Sequence, residues 1–427
     1  MNNYLLPSVT PKQKEKFQHH MAMHFYAAGA SFQCIEDCHL ESAVAVLRPD
    51  PNMLPNRKKL ASVLLDKFYA DIKGRVDDHL EKAVVCITTD GWTDIKNDPV
   101  VNYMATSPEF SIFLESISTG QQGHDAMWIV GDIQRVFSAY PSTLFSGAVT
   151  DNTSANKNAW QILSKKFPRK YFQGCCSHGL HLLVKDIFTA RKTKKPGDSE
   201  PLYPIDYPFD DLLEFVEDCK DVVKFFHNHH VVKAQLQELQ KVAGVRSLAR
   251  AAPTRWGRIQ DMCKTILNSE RTLHAIVTAR DFVVGTTTQK QVQVKIKAII
   301  SNNEFVSSLT KGLAILSPID LLIVKYQSDS VPVSEFLPDF NSLPAASTSL
   351  KRDGGLISNS ELLYIINLSL SLFQFMYGNA HGSAYLLDPR LLGQVLPVAS
   401  CRNIEDILVH TTADNDADIT DSTMEDI

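Results

Sequence analysis

The period of the apolar residues changes at residue 83, and no other feature constrains the fold as much. Before it, apolar side chains recur at helical steps: Phe17, Met21 and Phe25 within 12–28, then Leu60, Leu64, Phe68 and Ile72 within 57–80. The Pro- and Asn-rich run 48–56 between them is turn chemistry. After it come short β-branched runs. Residues 83–89 read as a strand ending at a turn over Asp90-Gly91, and 100–106 and 110–118 as a hairpin around Ser107-Pro108-Glu109. A helix over 125–140, a strand over 144–150, a helix over 153–166 capped by Thr153 or Ser154, a strand over 171–176 and a helix over 179–190 follow. Three strands followed by alternating helices and strands predict an α/β fold with a sheet of mixed direction.

The rest of the chain is organised around that sheet. Residues 1–80 form an N-terminal helical segment, 81–190 the α/β core, 191–400 an α-helical domain and 401–427 an acidic tail. Residues 192–208 read as a polar linker, and 347–355 as a loop interrupting the helical patterns. From Asn403 onward there are eight Asp or Glu and no Lys or Arg, which predicts disorder.

Of the 427 residues, 44% are hydrophobic and 21% charged, with a formal net charge of −5. That balance builds a core and excludes a chain that coats nucleic acid by bulk charge, while leaving room for a local basic groove. No apolar run reaches the roughly 18 residues needed to span a bilayer, and the N-terminus lacks a signal-peptide pattern, so the expectation is a soluble intracellular protein without membrane partners. Eight cysteines are too sparse for a disulfide scaffold.

Four features can carry chemistry. Asp90 and Asp151 both follow apolar strands, where ligand sites of open α/β sheets lie. Two carboxylates on one rigid sheet can bridge divalent ions, although Asp also serves simply to cap the turn or helix that follows. Cys175, His178 and His181 have zinc-ligand chemistry, with the histidines on one helix face; no fourth ligand is visible nearby, and a polar groove lined by histidine fits equally well. Residues 165–195 hold nine Lys or Arg, Lys185 among them, and Asp186 as the single acid. That is either a contact for a phosphate backbone or a solvated helix face. Arg255-Trp256 precedes a long helix, where the indole either stacks on an unpaired base or staples the helix start.

In order along the chain, these pieces resemble the hAT superfamily of transposases. Phe25-Tyr26-Ala27-Ala28-Gly29-Ala30-Ser31-Phe32 is similar to the segment leading into that family's catalytic core. Thr89-Asp90-Gly91-Trp92-Thr93 matches the first aspartate motif, and Thr150-Asp151-Asn152 with Ala155-Asn156 the second. Cys175-x-x-His178, Thr254-Arg255-Trp256 and Leu386-Leu387-Asp388-Pro389-Arg390 resemble later blocks. The resemblance implies an RNase H-like core interrupted by a helical insertion. It also implies Mg²⁺ or Mn²⁺ held by Asp90 and Asp151, with His178 beside the cleaved strand. Trp256 would stack on a displaced base with Arg255 in support, and Lys185 would join the DNA contact. DNA cleavage and strand transfer by two-metal chemistry at transposon ends, in the nucleus, is the implied ancestral activity.

The chain departs from that pattern in three places. The third acid of the family is a Glu beyond the helical insertion, and none can be matched; Glu405 has only Ile404, Ile407 and Leu408 as apolar company. An apolar C-terminal dimerisation segment and an N-terminal zinc finger are not found either, so the chain reads as truncated at its C-terminus and an oligomer lacks its usual contact. The expectation is a transposase-derived protein, catalytically incomplete. Its rivals are a domesticated DNA- or protein-binding factor and an unrelated helical interaction protein with no mixed sheet.

Overall fold

The structure, a computed structural model, describes residues 9–412 apart from 48, 49, 51, 121, 122, 189–206, 213, 251–257, 329 and 395. The chain divides into two compact units, Met1–Val84 with Ser138–Leu144, and Val85–Phe137 with Phe145–Ile427.

In the first unit the helix Pro11–Ala28 starts at a capping box between Thr10 and Gln13 and ends at Gly29 in the left-handed region. The helical run from Arg57 to Leu80 is widened into a π-turn at Leu60–Leu64, where the Tyr26 hydroxyl donates to the Leu60 carbonyl at 2.6 Å. Ala22, Phe25, Ile35, Leu60, Leu64 and Phe68 make its core. Ile72, expected on the same stripe, is exposed.

The second unit contains a five-stranded sheet. Its strands are β1 (Val84–Thr93), β2 (Pro99–Thr106), β3 (Ser111–Ser118), β4 (Leu144–Thr150) and β5 (Tyr171–Gly174), in the order β3-β2-β1-β4-β5. The first three pair antiparallel and β4 pairs parallel with β5. This mixed sheet with its helices is consistent with an RNase H-like core, and it removes the purely helical alternative. One expectation is corrected: β1 does not end at Asp90-Gly91. It continues to Thr93, because Gly91, Trp92 and Thr93 pair with Val101, Val100 and Pro99. The turn falls at Asp94–Asp98 instead, where the Asp94 carboxylate accepts from the amides of Lys96 and Asp98 at 2.8 and 2.9 Å.

The helix Ala126–Ala139 covers the sheet with Val130, Ile133 and Val136. It is pinned by the Tyr103 hydroxyl donating to Asp132 and by Arg135 bridging Asp132 and Glu115 at 2.6 and 2.7 Å. The last core helix is Cys176–Phe188, starting earlier than the expected 179. Its Leu180, Leu183, Val184, Ile187 and Phe188 join the same apolar core as Phe215, Phe226, Ile266, Leu316 and Phe336 of the helical region. Sheet and helical region therefore belong to one compact unit.

Three more expectations change. The 23-residue helix Asn303–Lys325 is, by length and composition, long and apolar enough to cross a membrane. Its apolar residues are shared with the core, and Lys311 within it holds Asp211 and Glu361 at 2.8 and 2.5 Å. The loop predicted at 347–355 is for the most part the end of the helix Phe336–Gly354. There Ser347, Thr348 and Ser349 hydroxyls donate to carbonyls four residues back, so polar composition does not break the helix. The expected tail begins as a helix, Val398–Thr412, with Ile404 buried; residues 413–427 lie outside the described residues, as does most of the expected linker.

The approach of β4 to β5 depends on glycine. A Cβ at Gly147 would lie 1.7 Å from the Tyr171 carbonyl oxygen. Gly147→Ala should therefore cost on the order of 2–4 kcal/mol in urea unfolding. Gly74→Ala, on an open helical face, should gain about 0.5–1 kcal/mol.

Candidate functional site

Parallel pairing of β4 with β5 sets Thr150 opposite Gly174. One residue further on, the two chains leave the sheet together: the Cys175 amide donates to the Thr150 carbonyl at 2.8 Å, and the Asn152 side-chain amide donates to the Cys175 carbonyl at 2.8 Å. The helix then starts at Cys176, which places His178 in its first turn. Its Nδ1 lies 3.1 Å from Asp151 Oδ1, with the two side chains 36% and 28% exposed. The predicted acid and the predicted histidine thus meet.

Asp90 stands on β1, opposite Asn102 of β2, exposed to solvent. Its charge acts on both His178 and Cys175, so the β1 acid, the β4 acid and the imidazole share one electrostatic neighbourhood. The hydrogen bond to Asp151 holds His178 above the ordinary imidazole range. Partial burial opposes this, and the charges of Asp151 and Asp90 add to it. Burial pushes the Cys175 thiol up, and does the same to Cys176 more strongly. Among the described residues Cys175, His178 and His181 do not come together as a group that could hold a metal ion.

Asn152 shapes the floor of the site. It is 7% exposed, and its Oδ1 is buried without a hydrogen-bond partner. That oxygen occupies the space a Cβ of Gly174 would fill, at 1.6 Å, while Trp160 closes the other side and donates to Thr150 Oγ1 at 2.9 Å. Asn152 and Gly174 are adjacent to predicted site residues in sequence; their complementarity becomes visible only when the strands pair.

On the sheet face of Thr89 and Gly91 a cleft of about 430 Å³ opens beside Asp151. Trp92, 48% exposed, lines it together with His124 and Trp128, whose rings stack at 4.7 Å and 18°. The tryptophan of the Asp-Gly-Trp motif was the available sequence signal for this wall; His124 and Trp128 had none.

Lys170 is turned inward, donating to the Phe145 carbonyl over the Phe137 ring, and burial lowers its pKa. Lys185 is exposed but seven residues beyond His178, roughly 10 Å along the helix. Arg255, Trp256 and the basic run 191–195 lie outside the described residues.

Mg²⁺ or Mn²⁺ would need hard oxygen ligands, and Asp90 and Asp151 are of that type. Yet Asp151 is engaged by His178, and among the described residues no three His, Cys, Asp or Glu side chains come together in a way that would hold a metal ion. Among the described residues the donor set does not amount to a two-metal site.

Residues 55–197 match the family model of a domain of unknown function, DUF659. No curated protein matches the chain.

The His178–Asp151 pair gives a direct measurement. The His178 resonance should titrate above about 6.5, and Asp151→Asn should return it toward that ordinary value. Because the folded pKa is raised, the pair's stabilisation is fully present below the unfolded value and lost as pH rises through the folded one. At this exposure it should amount to less than about 1 kcal/mol.

Proposed function

We propose that the protein is a hAT transposase-derived, nuclear DNA-binding protein that retains the RNase H-like scaffold and lacks a full set of catalytic ligands. The observation that carries this is the pairing of Asp151, just after β4, with His178, within reach of the charge of Asp90 on β1, on a sheet ordered β3-β2-β1-β4-β5. The DUF659 match across 55–197 supports it, since that family is typical of hAT-like, transposase-related proteins.

The case against cleavage is one of charge. Displacement at a phosphodiester by two metals needs ions at both the attacking and the leaving oxygen, each held by carboxylates. Here Asp151 is paired with an imidazole biased toward its cationic form, and Asp90 is the second carboxylate whose charge reaches that imidazole. An imidazolium beside Asp151 competes with a divalent ion for the same oxygens and is itself suited to a phosphate. In this chain the imidazolium, and not the carboxylates beside it, is the group of this site suited to a phosphate oxygen.

The test uses a labelled duplex with Mn²⁺ or Mg²⁺. The wild-type chain should bind without producing cleaved or joined strands, and Asp90→Asn with Asp151→Asn should leave its affinity within about threefold, a shift below 1 kcal/mol. Metal-dependent cleavage by the wild type that disappears in Asp90→Asn would make the protein an active nuclease or transposase.

A further inference from the structure

The first unit carries a groove with a charge character unlike that of the chain as a whole. It lies between the helix Pro11–Ala28 and the segment from Asn52 to Lys67, with a cavity of about 830 Å³. Five lysines line it, Lys12, Lys14, Lys16, Lys59 and Lys67, against one acid, Glu15. This is a concentrated cation surface on a protein whose net charge is −5.

The groove is mounted on a fixed frame. Gln18, buried at its floor, donates to the carbonyls of Asn52 and Met53 at 3.2 Å and accepts from Lys59 Nζ at 2.7 Å. His19 stacks on Phe68 at 4.4 Å, joining the helix to the opposite wall. Asn56 caps the second wall, accepting from the Lys59 amide at 2.7 Å.

Not all of this charge is spent within the protein. Lys14 pairs with Asp50 at 3.2 Å and Lys67 with Glu15 at 3.3 Å. Lys12 and Lys16 are exposed and have no acidic partner within ion-pair distance among the described residues. They stand four residues apart on one helix face, roughly 6 Å along its axis.

We propose that this groove binds the phosphate backbone of duplex DNA independently of sequence; the proposal rests on the DNA-binding reading above and assigns that binding to a place. Lysines spread along two walls suit a line of phosphates better than a single anion. The groove is far larger than one phosphate requires, and no arginine fork converges in it. Ammonium groups act as point charges that position a backbone and read no base edges.

The experiment is fluorescence anisotropy of a labelled duplex of arbitrary sequence with the full chain, between about 50 and 200 mM salt. Lys12→Ala with Lys16→Ala should weaken binding at least about fivefold at the lower salt and reduce the slope of log affinity against log salt by about 1–2. Lys12→Arg with Lys16→Arg should preserve both, and an unchanged circular dichroism melt separates loss of charge from loss of fold. Wild-type affinity and slope in the alanine variant would overturn the groove while leaving DNA binding intact. Failure of the wild type to bind the duplex at all would overturn the DNA-binding reading and the groove with it. Binding to phosphatidylserine vesicles in place of the duplex would overturn the assignment to DNA.

Discussion

The close parallel pairing of β4 with β5 is the constraint from which the site follows. Register alone decides that Asp151 and Cys175 leave the sheet side by side, and a helix starting immediately afterwards decides that His178 turns back toward Asp151. Parallel strands cannot be joined by a tight turn, so the crossover helix Ser154–Lys166 must carry the chain back across the sheet. It does so while sending Trp160 onto Thr150. One backbone geometry therefore fixes an ion pair, a buried amide and an aromatic wall together.

The helical region extends the same rigidity outward. It packs onto the helix Cys176–Phe188, the element that also presents His178, so the imidazole is seated on a helix buried along much of its length. Further out, Asp388 and Arg390 sit in a relay of charges. Asp388 accepts from Ser334 at 2.6 Å and pairs with Arg390 at 2.7 Å, Arg390 reaches Glu335 at 3.2 Å, and Lys325 joins Glu335 to Asp339. In this fold the Leu-Asp-Pro-Arg phrase has a structural use: it ties the chain after one helix to the ends of two others.

Much of the sheet was legible because its signals are local. The runs 100–106 and 144–150 and the Thr153 cap are read from neighbours a few residues away, and the structure follows them closely. The end of β1 was not legible, because Asp90-Gly91 is turn chemistry by composition and is overridden by pairing with β2, a tertiary fact. Ser347–Ser349 misled in the same way: hydroxyls satisfied by their own helix look like a loop in one dimension. Of the site, Asp90, Asp151 and His178 were marked by residue type and motif. Asn152 stood in the second motif without a role of its own and the His124–Trp128 stack had no signal, since their significance lies in what faces them across the fold.

The fit of Asn152 into the space beside Gly174 has an evolutionary consequence. An oxygen placed where a methyl group would be makes the two positions a lock: any side chain at 174 collides with the amide, and shortening the amide alone forfeits its bond to Cys175 and opens a void. Neither position can drift independently. The paths open to it are paired substitutions, in which the second change is tolerated only in the presence of the first. Divergent descendants of such a chain would be expected to hold both residues or to have exchanged both.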